Sequence, residues 1–331
     1  MQTPKPLRWG ILGPGKIARK FAEGLATLSG AHLQAVASRN LSRSEAFAAD
    51  FGAPQAHGSY AELAQNPEVD IIYVATPHPH HKDATLLCLE HGKHVLCEKP
   101  MSLNARDSEA MFAVAREKGL FLMEAMWTRF LPAWRQVKQW LAEGAIGEVR
   151  LLLVDFSFRS STFDRSDRKF APELGGGALL DIGIYPIATA YYVFAEEPEA
   201  VQSQATLGPT GTDDQSTYLF RYRSGAQAVL SSSFLADGTK EAVICGEKGK
   251  IRVPMFWQAR QAILEGEGAE PVVFDGSYAA TGLQFQAEAI AADLAAGCLE
   301  NALMLPQATL EVARMMDRLR ADWGLRYPQE G

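Results

Sequence analysis

The chain opens with an apolar run, Leu7–Leu12, that stops at Gly13-Pro14-Gly15-Lys16-Ile17-Ala18 and passes straight into a helical pattern over Ile17–Leu28. A glycine pair at such a junction leaves few folds open. The first glycine permits a tight turn, the second lets another group approach the backbone, and Ala18 lets the helix pack closely on a sheet. The rhythm then repeats. Leu33–Ser38 and Asp70–Thr76 read as buried strands, with Ser42–Phe51 and His81–His91 as helices. Lys93–Cys97, Asn104–Lys118 and Phe121–Glu124 continue as strand, helix and strand. Strands that are apolar throughout, rather than alternating, are buried on both faces. Strand–helix alternation of this kind predicts a doubly wound parallel sheet covered on both sides.

After about Arg129 the rhythm changes. Glu148–Phe158 alternates apolar and polar residues, a polar loop follows, and an apolar helix starts after Gly177. From Glu199 to Phe274 short strand-like runs succeed one another, separated by turn signals such as Asp237-Gly238. Helical patterns near Leu283–Ala296 and Pro306–Trp323 close the chain. The expected fold class is α/β. An N-terminal Rossmann doubly wound parallel sheet (residues 1–126) is joined to a C-terminal α+β domain (residues 127–331) with a large, mostly antiparallel open sheet. The length of 331 residues suits two domains.

The formal net charge is −7, and no run is rich in Lys and Arg, which argues against nucleic acid as a partner. Cys88, Cys97, Cys245 and Cys298 form no CxxC and no zinc spacing. The N-terminus lacks the apolar core of a signal peptide, and no apolar run reaches about 18 residues without polar interruption. The expected setting is cytoplasmic and reducing, with no membrane partner.

The glycine turn at a helix start places N–H donors where a pyrophosphate binds, so the first domain is expected to hold a dinucleotide. The end of the second strand chooses which one. An Asp or Glu there would bind the adenosine ribose and favour NAD. This chain has Ser38-Arg39-Asn40, with Arg43 just beyond. A guanidinium matches phosphate geometry, so Arg39 favours NADP over NAD, with a hydrogen bond from Ser38. Arg43 reads equally as a helix-surface charge.

The segment GGGALLDIGIYP, Gly175 to Pro186, sets Asp181 and Tyr185 four apart at a helix start, where both share one face. A phenol can carry a carbinol proton, but it needs a cation to lower its pKa from about 10. Lys99, in Glu98-Lys99-Pro100 at the carboxyl end of a strand, offers one. Open α/β sheets bind ligands at that end. The neighbouring strand end reads ATPHPHH, Ala75 to His81. Its three histidines lack the Cys, Asp or Glu partners of a metal site, so no metal is expected; His81 suits the cofactor cleft or the helix start, and the roles of His78 and His80 stay open.

With GPGKIA, ATPHPHH and EKP in place, the chain resembles the Gfo/Idh/MocA oxidoreductases from about Leu7 onward. EAMWTRFLP (Glu124–Pro132) and LGGGALLDIGIYP (Leu174–Pro186) are similar to signatures of the dimeric dihydrodiol dehydrogenase and NADP-dependent xylose dehydrogenase branch. Many family members carry a histidine where this chain has Tyr185. The resemblance implies hydride transfer between a carbinol carbon of a sugar or vicinal diol and the nicotinamide. Tyr185 would take the hydroxyl proton and Lys99 would hold the phenolate; the reverse division, with Lys99 as direct base, stays open. Asp181 would orient Lys99 or a substrate hydroxyl. Around the cofactor the resemblance gathers Gly13, Gly15, Lys16, Ile17, Ser38, Arg39, Arg43, Thr76, Pro77, His81, Glu98 and Lys99. Around the substrate it gathers Trp127, Arg129, Phe156 and Arg168 with Asp181 and Tyr185, and Trp257 more weakly. Reduction of a keto-sugar or dicarbonyl, and cofactor sensing without turnover, are the competing readings; intact Lys99 and Tyr185 argue against the second. The open sheet is the family's usual dimer surface, so a homodimer or homotetramer is expected.

Overall fold

The computed structural model describes residues 6–330. Residues 1–5, where the leader reading begins, lie outside the described residues. The chain divides into two compact units. One runs to Trp127 and takes in Tyr278–Leu310; the other comprises Thr128–Ser277 and the chain from Glu311 onward.

In the first unit the apolar runs form strands β1 (Leu7–Leu12), β2 (Ala31–Ala37), β3 (Gln55–His57), β4 (Ile71–Val74), β5 (His94–Cys97) and β6 (Leu122–Glu124). Between them lie α1 (Lys16–Leu25), α2 (Leu41–Phe51), α3 (Tyr60–Gln65), α4 (His81–Glu90) and α5 (Ala105–Glu117). The sheet order is β3-β2-β1-β4-β5-β6, all parallel, as the alternation predicts. Trp9, Ile11, Ile72, Val74, Val95 and Leu96 are fully buried, which is the reason these strands are mostly apolar. Phe21 of α1 stacks on Tyr73 of β4 with ring centroids 4.0 Å apart, fixing the first helix on the sheet. At the amino ends of the strands Arg8 pairs with Asp70 at 2.6 Å, and the buried Lys93 ammonium donates to the carbonyls of Asn66 and Val69. The short β3 and α3 carry too few residues for a periodic signal and were not marked by the sequence pattern.

The register fixes what the other end of the sheet presents. Leu12 pairs with Ala37 and Val74, Val74 with Cys97, and Cys97 with Glu124. The strands therefore end in one row. The residues that follow them, Gly13, Ser38, Ala75 and Glu98, leave the sheet along one edge.

The second unit begins with α6 (Pro132–Ala142) and β7 (Val149–Ser157). After the loop and a wide turn, Leu179–Gly183, come α7 (Ile184–Phe194) and strands β8 (Ala200–Leu207), β9 (Asp213–Arg221), β10 (Gln227–Ser233), β11 (Glu241–Gly246), β12 (Gly249–Pro254), β13 (Gln261–Gly266) and β14 (Val272–Asp275). The sheet order is β14-β13-β12-β11-β7-β10-β9-β8. Only β7 and β10 run parallel; the other neighbours are antiparallel. Inward-facing Leu152, Val154, Tyr218, Phe220, Leu230, Ile244 and Val253 are buried on the face that α7 covers. The opposite face leaves Leu153, Leu219 and Val229 exposed.

Two helices complete the chain. α8 (Gln284–Ala295) packs on α1 in the first unit, where the Thr281 hydroxyl donates to the Lys20 carbonyl at 2.8 Å. α9 (Pro306–Trp323) follows. The stretch Pro172–Phe194, although interrupted by Asp181, is long and apolar enough to cross a membrane by composition; 78% of its apolar window is buried inside the protein.

Candidate functional site

The turn after β1 is shaped around a group the protein itself does not supply. Gly13 has φ +94°, and a Cβ there would come within 2.9 Å of the Ala75 carbonyl oxygen, so only glycine fits. Gly15 caps α1 with extended backbone and no side-chain cap. A Cβ added at Gly15 would meet nothing within 4 Å. An uncapped helix N-terminus facing open space is a cradle for an anion. Thr76 lies against Gly13, and its buried hydroxyl has no hydrogen-bond partner among the described residues. These features fit a dinucleotide pyrophosphate. Lys16 is exposed and Ile17 half-buried on the first turn of the helix. At the end of β2, Ser38 is buried and its Oγ accepts from the Asn40 N–H at 3.3 Å, while Arg39 and Arg43 are exposed.

Two strand ends further along, Lys99 is held from both sides. Its N–H donates to the buried Glu98 carboxylate at 3.2 Å, and that carboxylate also receives the Tyr73 hydroxyl. The peptide bond from Lys99 to Pro100 is cis. The Pro100 carbonyl lies 2.8 Å from His81 Nδ1, and the Thr76 carbonyl lies 2.7 Å from His81 Nε2. His81 thus lies between the end of β4 and the chain leaving β5, and as a neutral ring it donates to one of the two carbonyls. Burial pushes its imidazole down to about 4, against the pull of both carbonyls, and the Lys99 charge adds to the fall. His78 is buried against the His81 ring, Pro77 is half-buried before it, and His80 is exposed. Among the described residues, no three His, Cys, Asp or Glu side chains are grouped to hold a metal ion.

In the second unit the glycine run leads into a wide, π-type turn rather than directly into an α-helix. The turn packs tightly against β9 and β10. A Cβ on Gly183 would come within 2.7 Å of the Tyr218 hydroxyl and 2.9 Å of Ser232 Oγ. Such turns recur at functional sites. Asp181, nearly buried, receives two hydrogen bonds from the Arg168 guanidinium, at 3.1 and 3.3 Å. The expected partners of Asp181 were Lys99 or a substrate hydroxyl; Arg168 is a further one. Tyr185 is buried, with its ring edge-on to Phe156 at 5.5 Å. Phe156 in turn stacks on Trp257, with centroids 4.2 Å apart and planes at 20°. Thr128 donates to the Trp257 carbonyl at 3.2 Å.

Phe156 and Tyr185 touch, and Arg168 meets Asp181. Arg129, in the short 3-10 segment Trp127–Phe130, packs against α7, where its guanidinium reaches the Ala188 carbonyl at 3.5 Å and sits 5.5 Å from the Tyr192 ring. Trp127 is buried at the end of the first unit. Two residues were missed altogether. Phe256 packs edge-on to Phe156 at 5.8 Å, and the buried Asp213 accepts a hydrogen bond from the Leu179 N–H at 2.8 Å. Neither sits in a motif that the sequence alone would mark.

The family of NAD-binding Rossmann-fold oxidoreductases, Gfo/Idh/MocA, matches residues 7–126, and its C-terminal domain matches residues 134–252. Trans-1,2-dihydrobenzene-1,2-diol dehydrogenase of Xenopus tropicalis is 37% identical over 97% of this chain and 99% of its own. This chain belongs to the Gfo/Idh/MocA family. The human enzyme of the same name is 36% identical over 98% of this chain and 99% of its own. Among solved structures, aldose-aldose oxidoreductase from Caulobacter crescentus superposes with a TM-score of 0.87 at 25% identity, covering 97% of this chain and 98% of that one. KijD10, a 3-ketoreductase from Actinomadura kijaniata solved with NADP and TDP-benzene, superposes with a TM-score of 0.83 at 28% identity, covering 96% and 98%. The first domain of this oxidoreductase is therefore an NAD(P)-binding Rossmann domain.

Two outcomes follow from this geometry. Gly15→Ala is expected to leave stability unchanged or raised by about 0.4–1 kcal/mol, because its extended backbone suits alanine, yet to weaken dinucleotide binding about tenfold or more by filling the cradle. Thermal unfolding beside a fluorescence titration with NAD(P) checks both; equal loss of stability and affinity would refute the cradle. For His81, the unfolded chain takes up a proton near 6.5 that the folded protein refuses until about 4. Its stabilising contribution is thus complete above 6.5 and is lost as pH falls through that window. The unfolding midpoint of His81→Gln should accordingly start lower at neutral pH and fall less steeply on acidification than that of the wild type.

Proposed function

We propose that this protein is an NADP-dependent dehydrogenase of vicinal diols or sugars. One observation carries the reading: the Tyr185 ring, a potential proton carrier, stands edge-on to the stacked Phe156–Trp257 wall. An apolar wall beside a few placed polar groups suits a flat or cyclic substrate bearing hydroxyls. The relatives named for trans-dihydrodiol oxidation support the same class, as does the sugar chemistry named for the aldose-aldose oxidoreductase. Arg39 and Arg43, exposed beyond β2 where no carboxylate stands, support NADP over NAD.

The cofactor, when bound, supplies the hydride acceptor. The chain's own residues handle the proton. Tyr185 takes it from the reacting hydroxyl. The positive charge of Lys99 favours the phenolate form of Tyr185 and stabilises oxygen as charge develops on it. Asp181 orients a substrate hydroxyl, with Arg168 holding the carboxylate in place. Reduction of a ketone uses the same groups, with the proton passing from Tyr185 to the carbonyl oxygen; the name of the 3-ketoreductase relative favours keeping that direction in view.

A panel of trans-dihydrodiols, aldoses, inositols and keto-sugars with NADP and NAD, read at the nicotinamide absorbance, tests the reading. Turnover with a diol or sugar, and at least about tenfold preference for NADP, are expected. Tyr185→Phe and Lys99→Met should each lower kcat by about a hundredfold or more. Both variants turning over like the wild type would overturn the assignment of residues, and preference for NAD would overturn the role of Arg39. Cofactor binding with no turnover across the panel would favour a sensing protein.

The same proposal extends to assembly. On the open face of the second sheet one row of cross-strand neighbours runs Leu219, Val229, Leu153, Val243. The first three are about 40% exposed. A contiguous apolar row on an open sheet marks a contact surface, here for a second copy of the chain. The wild type is expected to elute as a dimer or a dimer of dimers, and Leu153→Lys with Val229→Lys as a monomer, in light-scattering chromatography.

A further inference from the structure

The wide turn in the second unit rests at both ends on a buried polar cluster from β9 and β10. Asp213 is fully buried. Its Oδ2 accepts from the Leu179 N–H at 2.8 Å and from the Ser216 hydroxyl at 3.2 Å. Ser216 Oγ lies 2.6 Å from the Tyr218 hydroxyl, and Tyr218 lies 2.9 Å from Ser232 Oγ. Leu179 begins the turn, and Gly183, which ends it, packs against Tyr218 and Ser232. Asp181 sits between these two anchors, and Tyr185 follows two residues after them.

The remaining oxygen, Asp213 Oδ1, has no hydrogen-bond partner among the described residues and abuts Gly177, where φ is +115° and a Cβ would collide with it. A neutral acceptor would satisfy Leu179 without burying a charge. A carboxylate in that place makes a stronger, charge-assisted bond, at the cost of desolvation.

We propose that Asp213 is a positioning residue whose ionised carboxylate holds the Leu179 N–H, sets the wide turn, and thereby sets Asp181 and Tyr185 for work. The proposal rests on the roles given to those two residues above. Burial pushes the Asp213 carboxyl up to about 7, so its ionisation changes where an enzyme of this kind operates. The charged and titratable groups around it are engaged elsewhere. Asp214, its neighbour on β9, is bound by Arg165 at 2.8 Å. Tyr327 donates to the Gly176 carbonyl at 2.6 Å. Arg320, beyond Tyr327, is tied to Asp317 and Glu330. Asp181, on the turn, is held by Arg168, and Tyr218 belongs to the hydroxyl cluster. Burial is thus the main cause of the Asp213 rise, the bonds from Leu179 and Ser216 to its ionised form oppose it, and the charge of Asp214 adds to it.

Amide hydrogen exchange across the turn, as protection relative to intrinsic rates, tests this between about pH 5.5 and about pH 8.5 on the full chain. In the wild type, for local opening that breaks the Leu179 bond and leaves Asp213 buried, protection of the Leu179 amide should rise about tenfold as pH passes 7, opposite in sign to the fall expected for global unfolding; in Asp213→Asn it should stay flat. Where the panel yields a substrate, the acid limb of kcat near 7 should vanish in Asp213→Asn, with kcat about tenfold lower and NADP affinity unchanged. Should that variant fail to fold, Ser216→Ala removes one bond to the ionised carboxylate and should move the exchange midpoint to higher pH. Wild-type protection that ignores pH, or an acid limb that survives in Asp213→Asn, would overturn the proposal. Exchange needs no substrate, so a pH-dependent turn in a protein inactive on the whole panel would refute the diol reading while supporting the role of Asp213 in setting the turn.

Discussion

The register of the parallel sheet governs the first unit. Leu12, Ala37, Val74, Cys97 and Glu124 stand in one row because neighbouring strands pair without slippage at that end. A shift of one residue would turn every side chain of a strand to the opposite face. With the row in place, the glycine turn, Ser38, Thr76 and Glu98-Lys99 emerge along one edge, and short local contacts finish the arrangement. The carbonyl of Ala75 excludes any side chain at Gly13, and His81 lies between the carbonyls of Thr76 and Pro100. The opposite end of the sheet is closed by Arg8–Asp70 and by Lys93 on two carbonyls. One end is built to be finished by the protein, and the other is left to be finished by a ligand.

Much of this was legible in the sequence. A strand needs only its apolar run to be recognised when both faces are buried, and β1 came out with the very bounds the pattern implied. The turn at Gly13 and Gly15 was legible because glycine there answers a backbone demand that no other residue meets. The strand succession of the second unit was legible from alternation and turn residues. β3, with three residues, and α3, with six, were not, because neither spans enough chain for a period to show. α6 went unmarked for a different reason. Its stripe of Ala133, Trp134, Val137 and Trp140 is buried, but it follows directly on the apolar crossover of Trp127–Leu131, so its start does not stand out.

The candidate site was legible to the extent that its residues lie in motifs. Asp181 and Tyr185 announced themselves by their spacing, and Lys99 by its place at a strand end. The π-type turn that carries Asp181 did not. Its cause lies across the sheet, in the Tyr218 and Ser232 hydroxyls that crowd Gly183 and in the Asp213 carboxylate under Leu179. The Arg168–Asp181 pair likewise joins residues whose adjacency depends on how the loop before Gly175 returns. Sequence motifs mark candidate reactive groups more readily than the groups that hold them.

His81 and Asp213 illustrate why the holding groups matter energetically. Each is a fully buried ionisable side chain, and burial moves each toward its neutral form, His81 down to about 4 and Asp213 up to about 7. Their effects on stability run in opposite directions. Neutral His81 contributes most above 6.5, whereas Asp213 is cheapest to bury when protonated, so its contribution to stability declines as pH rises from the ordinary carboxylate range toward 7. A buried carboxyl that ionises near neutrality opposes folding under the conditions in which its bond to the Leu179 N–H is strongest. Replacing it with a neutral acceptor would relieve that cost and weaken the one backbone bond that begins the wide turn. The second unit thus gives up stability at the place where the turn carrying Asp181 is fixed, a trade that suits positioning better than it suits packing.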